Sequence, residues 1–82
     1  MYVLAVEDEQ IILKELTTEL GKVFPDAQVC GFQDPQAACL WASELARKGQ
    51  TLSYAFMDIR MRGMSGLELA RQLKLLHPGT VL

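Results

Sequence analysis

The chain opens on six apolar residues in a row, Met1-Tyr2-Val3-Leu4-Ala5-Val6, and the run stops at once on three acids, Glu7-Asp8-Glu9. A strand with one wet face alternates apolar and polar residues. Unbroken apolarity therefore predicts a strand covered on both faces, the habit of parallel sheets. Such a strand needs helices on either side, and the sequence offers them. Ile12, Leu16, Leu20 and Val23 recur at spacings of four, four and three, joined by Leu13 and Phe24. That pattern predicts one face of a helix from about residue 10 to 23, with Pro25 as its stop.

Residues 27–32 (AQVCGF) predict a short second strand, in which Gly31 points to an edge position or a bulge. Asp34-Pro35 reads as a helix start, since Asp can cap and Pro at the first helical position lacks an N–H that would go unpaired anyway. Ala38, Trp41 and Leu45 supply that helix's inner face, and Gly49 closes it. A third strand, Leu52 to Met57, ends at Asp58. After a loop from Ile59 to Met64, Ser65-Gly66-Leu67-Glu68 matches a capping box, with Ser65 as cap and Glu68 reaching back. Leu69, Leu73 and Leu76 carry the helix on to His77-Pro78-Gly79, where a histidine cation would complement the helix dipole. Thr80-Val81-Leu82 opens a fourth strand. The order β-α-β-α-β-α-β predicts an α/β fold with a parallel sheet.

At 82 residues, half of them hydrophobic, the chain has room for one core only. Eight basic against ten acidic residues, a net charge of −2, argues against holding nucleic acid or an anionic membrane through bulk electrostatics. No apolar run approaches the roughly 18–20 residues of a membrane span. Met1 leads straight into a core strand, so the expectation is a cytoplasmic protein without a cleavable leader. Cys30 and Cys39 form no CxxC motif and have one histidine to assist them, which excludes a zinc site and predicts two small buried hydrophobes.

Chemistry in a doubly wound sheet collects beyond the C-terminal ends of the strands, at the switch point. Glu7, Asp8 and Glu9 follow the first strand and Asp58 follows the third, so neighbouring strands would bring Glu7 or Asp8 together with Asp58. Two carboxylates about 4 Å apart repel by roughly 4 kcal/mol at an effective dielectric of 20. Such a group must take up a proton or a cation. Oxygen donors without nitrogen or sulfur select a hard ion, and open positions for water and phosphate suit Mg²⁺. A carboxylate beside that ion can act as a nucleophile toward phosphorus.

The segments V-L-A-V-E-D-E at residues 3–9 and F-M-D-I-R-M-R-G-M-S-G-L-E-L-A at 56–70, with G-F-x-D-P-x-x-A at 31–38 between them, resemble the receiver domains of two-component response regulators. The resemblance implies a flavodoxin-like, CheY-like doubly wound parallel sheet with strand order 2-1-3-4, of which residues 1–82 would be the N-terminal portion, with no output domain. It implies phosphorelay signal transduction, with a phosphoryl group passing from a sensor histidine kinase to Asp58. It further implies Mg²⁺ held by Asp8, Asp58 and the backbone carbonyl of Arg60, with Glu7 acting through water. A module of this kind is a signalling phosphoprotein rather than an enzyme. Any transcription regulation through DNA would belong to an output domain of a longer parent.

The sequence departs from the family pattern in three places. Arg62 stands where most receivers have Pro, a feature shared with regulators that carry LytTR-type DNA-binding domains. Glu7 replaces the commoner Asp, which lengthens the arm and keeps the charge. Receivers end their fourth strand with Thr or Ser and their fifth with Lys, and this sequence stops at Leu82 before both. An unpaired edge on the third strand would then invite dimerisation or swapping. The alternative expectation is accordingly a truncated, phosphorylation-independent interaction or dimerisation module. A haloacid-dehalogenase-type phosphohydrolase is disfavoured, because Arg60 occupies the position of that family's second Asp. The side chains of Arg60 and Arg62 read as solvated charges, and Gly63-Met64-Ser65-Gly66 reads as loop flexibility plus a helix cap, lacking the Lys and spacing of a P-loop.

Overall fold

The all-apolar first strand, β1 (Tyr2–Val6), lies in the middle of a three-stranded parallel sheet. β2 (Gln28–Phe32) flanks it on one side and β3 (Leu52–Met57) on the other, giving the order β2-β1-β3. The helices α1 (Gln10–Val23), α2 (Pro35–Arg47) and α3 (Gly66–Leu76) fall between and after the strands as the periodicity predicts. The computed structural model describes residues 1–82.

Both faces of β1 are covered, which explains why its sequence does not alternate. Val3 and Ala5 pack with Leu20 of α1 on one face. Leu4 and Val6 pack with Ala38, Ala42 and Leu45 of α2 and with Leu69 and Leu73 of α3 on the other. Val3, Leu4 and Val6 are wholly inaccessible, each burial contributing about 1.5–3 kcal/mol. The pairing runs from Tyr2 opposite Gln28 to Val6 opposite Phe32 on one side and from Val3 opposite Tyr54 to Val6 opposite Met57 on the other. The expected fourth strand begins as a single parallel bridge. Val81 donates to the Ser53 carbonyl and accepts from the Ala55 N–H, both at 3.0 Å, on the free edge of β3.

The inner face of α1 is rotated from the one predicted. Leu13, Leu16, Leu20 and Phe24 pack against the sheet, whereas Ile12 and Val23 are 46 % and 65 % exposed. The cause lies on β2, where Gly31 sits beneath the helix. A Cβ on Gly31 would come within 2.9 Å of Thr17 Cγ2 and 3.3 Å of Leu13 Cδ1. The missing side chain draws the Leu13–Thr17 side of the helix down onto the edge strand.

The helix starts follow their sequence signals with one correction. Asp34 accepts from the Gln36 N–H at 3.1 Å, with Pro35 behind it, and Gly49 takes the left-handed conformation (φ 73°) just past α2. Ser65 accepts from the Glu68 N–H at 3.2 Å, but Glu68 does not reach back to complete the box. Its carboxylate is taken by Arg71, one turn further on, at 2.7 and 2.8 Å.

A second correction concerns His77, which is no exposed cation at a helix end. It is 5 % exposed, with Nε2 2.8 Å from the Ala42 carbonyl and Nδ1 3.4 Å from the Leu52 N–H. Both contacts are satisfied together by the neutral ring, Nε2–H donating and Nδ1 accepting. Thr80, fully buried, donates to the Leu52 carbonyl at 2.7 Å, and Lys74 donates to the Thr80 carbonyl at 2.5 Å. This polar knot ties α2, α3, β3 and the last residues together at the N-terminal end of the sheet. Cys30 and Cys39 are free and half-buried rather than fully buried, and burial raises both thiols above their ordinary value, so they stay protonated.

Candidate functional site

The opposite end of the sheet carries the acids. Val6 of β1 is paired with Met57 of β3, so Glu7 and Asp58 leave the sheet side by side. Glu7 is held on its other side as well, its N–H donating to the Phe32 carbonyl at 3.1 Å beyond the last pair of β1 and β2. The parallel order thus delivers residues 51 positions apart in sequence to one edge, at the centre of the sheet.

The three acids differ in exposure. Glu7 is 8 % exposed, and its Oε1 accepts from the Glu9 N–H at 3.2 Å. Asp8 is half-buried, and its backbone carbonyl accepts from Gln33 Nε2 at 3.3 Å. Asp58 is exposed, and its Oδ1 accepts from the Arg60 N–H at 3.1 Å, a two-residue turn that sets the direction of the carboxylate. Burial pushes the Glu7 carboxyl above its ordinary range, and a shared hydrogen bond with Asp8 and the negative charges of Asp58 and Asp8 push the same way. The Glu9 N–H opposes them. Glu9 itself points to solvent and contributes its backbone.

The side chains of Glu7, Asp8 and Asp58 are brought to one end of the sheet without closing into a cage. No set of three His, Cys, Asp or Glu side chains is gathered tightly enough to hold a metal by itself. The donor chemistry nevertheless fits a hard divalent cation: every candidate donor is oxygen, and Glu7, disfavoured as an anion by burial and then by its acidic neighbours, gains from a positive charge. Arg60 and Arg62 are exposed, and the Arg60 carbonyl is engaged by no donor of the chain. An apolar hollow of about 220 Å³ lies beside the site, along the free edge of β3, lined by Phe56, Met57, Ile59, Leu67 and Leu82 among others.

One residue escapes the sequence reading. Gly66, taken there as part of a flexible capped loop, is buried against the backbone of Asp58 and Ile59, and its N–H donates to the Ile59 carbonyl at 2.9 Å. The available signal is a glycine at the first position of a helix already capped by Ser65, where helix formation alone has no use for it.

Comparison with known proteins bears on the whole chain. Residues 3–82 match the family described as response regulator receiver domain. The chain is 36 % identical over 72 residues to the Transcriptional regulatory protein AruR of Pseudomonas aeruginosa, covering 88 % of this chain and 29 % of that protein. It is 33 % identical over 72 residues to Stress response regulator protein 1 of Debaryomyces hansenii, covering 88 % and 28 % respectively. A response regulator receiver domain protein from Clostridium thermocellum superposes with a TM-score of 0.77 at 18 % identity, over 98 % of this chain and 60 % of that one. The BeF3-activated DrrB receiver domain superposes with a TM-score of 0.70 at 20 % identity, over 96 % and 59 %. The chain therefore spans less than a third of the curated relatives and about three fifths of the solved domains.

Proposed function

The chain belongs to the response regulator receiver domain family, and on that premise we propose that Asp58 accepts a phosphoryl group from a histidine kinase, with Glu7 and Asp8 serving a divalent cation beside it. The observation that carries this reading is the register of β1 and β3, which sets an exposed, turn-oriented Asp58 next to a buried acidic pair. Relatives named as regulatory proteins support it. So does the BeF3-activated form of the DrrB domain, since a beryllofluoride is a tetrahedral stand-in for a phosphoryl group.

The chain's own residues divide the work. The Arg60 N–H holds Oδ1 of Asp58, which leaves Oδ2 to attack phosphorus. The P–N bond to the donor imidazole breaks as the O–P bond forms, and the departing ring nitrogen takes a proton from water. Asp8 would bind the cation directly, Glu7 through water, and the Asp58 carboxylate and the Arg60 carbonyl would complete the protein's share. Mg²⁺, when bound there, neutralises the carboxylates and the incoming phosphoryl oxygens. The chain would act in the aqueous cytoplasm. No helix is long and apolar enough to cross a membrane. Incubation with an acyl phosphate and Mg²⁺ tests the reading: one phosphoryl group is expected on Asp58, and uptake that persists in Asp58→Ala sinks the assignment.

A further inference from the structure

The chain leaves the sheet at Asp58, makes a seven-residue loop over residues 59–65, and returns to its own starting point at Gly66. The neck of that loop is closed twice. The Gly66 N–H donates to the Ile59 carbonyl at 2.9 Å. The Gly66 Cα also lies so close to the chain that a Cβ would fall 2.6 Å from Ile59 Cα and 2.8 Å from the Asp58 carbonyl carbon, and closer still to the Asp58 carbonyl oxygen. All three obstacles are backbone atoms, so no rotamer change relieves them. Gly63 differs in kind: it needs its left-handed conformation (φ 83°), and a Cβ there meets nothing within 4 Å.

We infer that Gly66 is a positioning residue for Asp58, locking the backbone from which the acceptor carboxylate projects; this rests on the reading of Asp58 as the acceptor. Asp58 is fixed on its N-terminal side by β3, whose last residue Met57 is paired with Val6. On its C-terminal side the neck holds the backbone directly, while Met61 and Met64 further round the loop pack against the core. The Oδ1–Arg60 turn spans that same short stretch, so a neck forced open by a methyl group must move Ile59, Arg60 and the carboxylate together. Helix capping does not explain the glycine, because Ser65 already supplies the cap.

The test compares wild type with Gly66→Ala and with Gly79→Ala as the control, a glycine outside the loop where a Cβ meets nothing within 4 Å. The Arg60 amide resonance reports the Oδ1 contact without any metal, and it is expected to move in Gly66→Ala and to stay in Gly79→Ala. Labelling of Asp58 by an acyl phosphate should slow by about a hundredfold in Gly66→Ala, the scale of a misplacement near 1 Å. Mg²⁺ affinity should fall by about tenfold. A folded Gly66→Ala protein with the wild-type Arg60 resonance overturns the inference. Failure of the wild type itself to bind Mg²⁺ or take label would overturn the acceptor reading instead, with the Arg60 resonance still deciding the neck. If Gly66→Ala does not fold, the coupling is read in reverse. Asp58→Ala must then speed hydrogen exchange of the Gly66 amide, and unchanged exchange overturns the inference.

Discussion

His77 and Leu52 meet ring to backbone, the imidazole Nδ1 lying 3.4 Å from the Leu52 N–H while Thr80 takes the Leu52 carbonyl at 2.7 Å. Leu52 is the first residue of β3, and its outward N–H and carbonyl are bound by side chains from the segment after α3. His77→Ala removes both ring contacts and leaves the buried Leu52 N–H without its acceptor, so a loss of about 1–3 kcal/mol is expected. Thr80→Val, which strands one carbonyl, should cost about 1–2 kcal/mol. Urea titrations should show both as lower midpoints at constant slope.

Glu7 makes the stability of the metal-free protein fall with rising pH. Its carboxyl is raised in the folded state above the ordinary 4.5, chiefly by burial, so the fold holds that proton more tightly than the unfolded chain does. The contribution is complete below about pH 4.5 and is lost as pH rises through the raised folded value. Glu7→Gln mimics the protonated form. It should be more stable than wild type at pH 7 and should flatten the pH dependence in that window, as thermal melts across the range would reveal. A wild type that loses no stability relative to Glu7→Gln as pH rises through that window would contradict the shift.

At the start of α3 the structure separates the two halves of the expected capping box. Ser65→Ala loses a cap that is made, and should destabilise by about 1 kcal/mol. Glu68→Gln loses an exposed pairing with Arg71 and no cap, so its unfolding midpoint should stay nearly in place.

Much of the fold is legible in the sequence because its signals are local. The continuous apolar run announces a strand covered on both faces, Asp34-Pro35 and Ser65 announce helix starts, and the alternation of elements implies the parallel order. The rotation of α1 is not legible, since it depends on Gly31 of a different element giving way beneath Thr17. His77 is misjudged for the same reason: its partners, Ala42 and Leu52, are 35 and 25 residues away. At the acidic end the residue types and their strand-end positions are visible in advance. The inequality among them is not, because Glu7 is buried by packing while Asp58 stays in water. Gly66 is invisible as a contact until the loop is seen to close on itself.

The most direct measurement of the central claim is a backbone amide NMR titration of the chain with Mg²⁺, run in parallel on Asp8→Ala. The account predicts a dispersed spectrum whose changes are confined to Asp8, Asp58, Arg60 and their immediate neighbours, saturating with added metal and largely lost in the variant. A dispersed spectrum that ignores Mg²⁺, or one in which Asp8→Ala responds as wild type does, would contradict it.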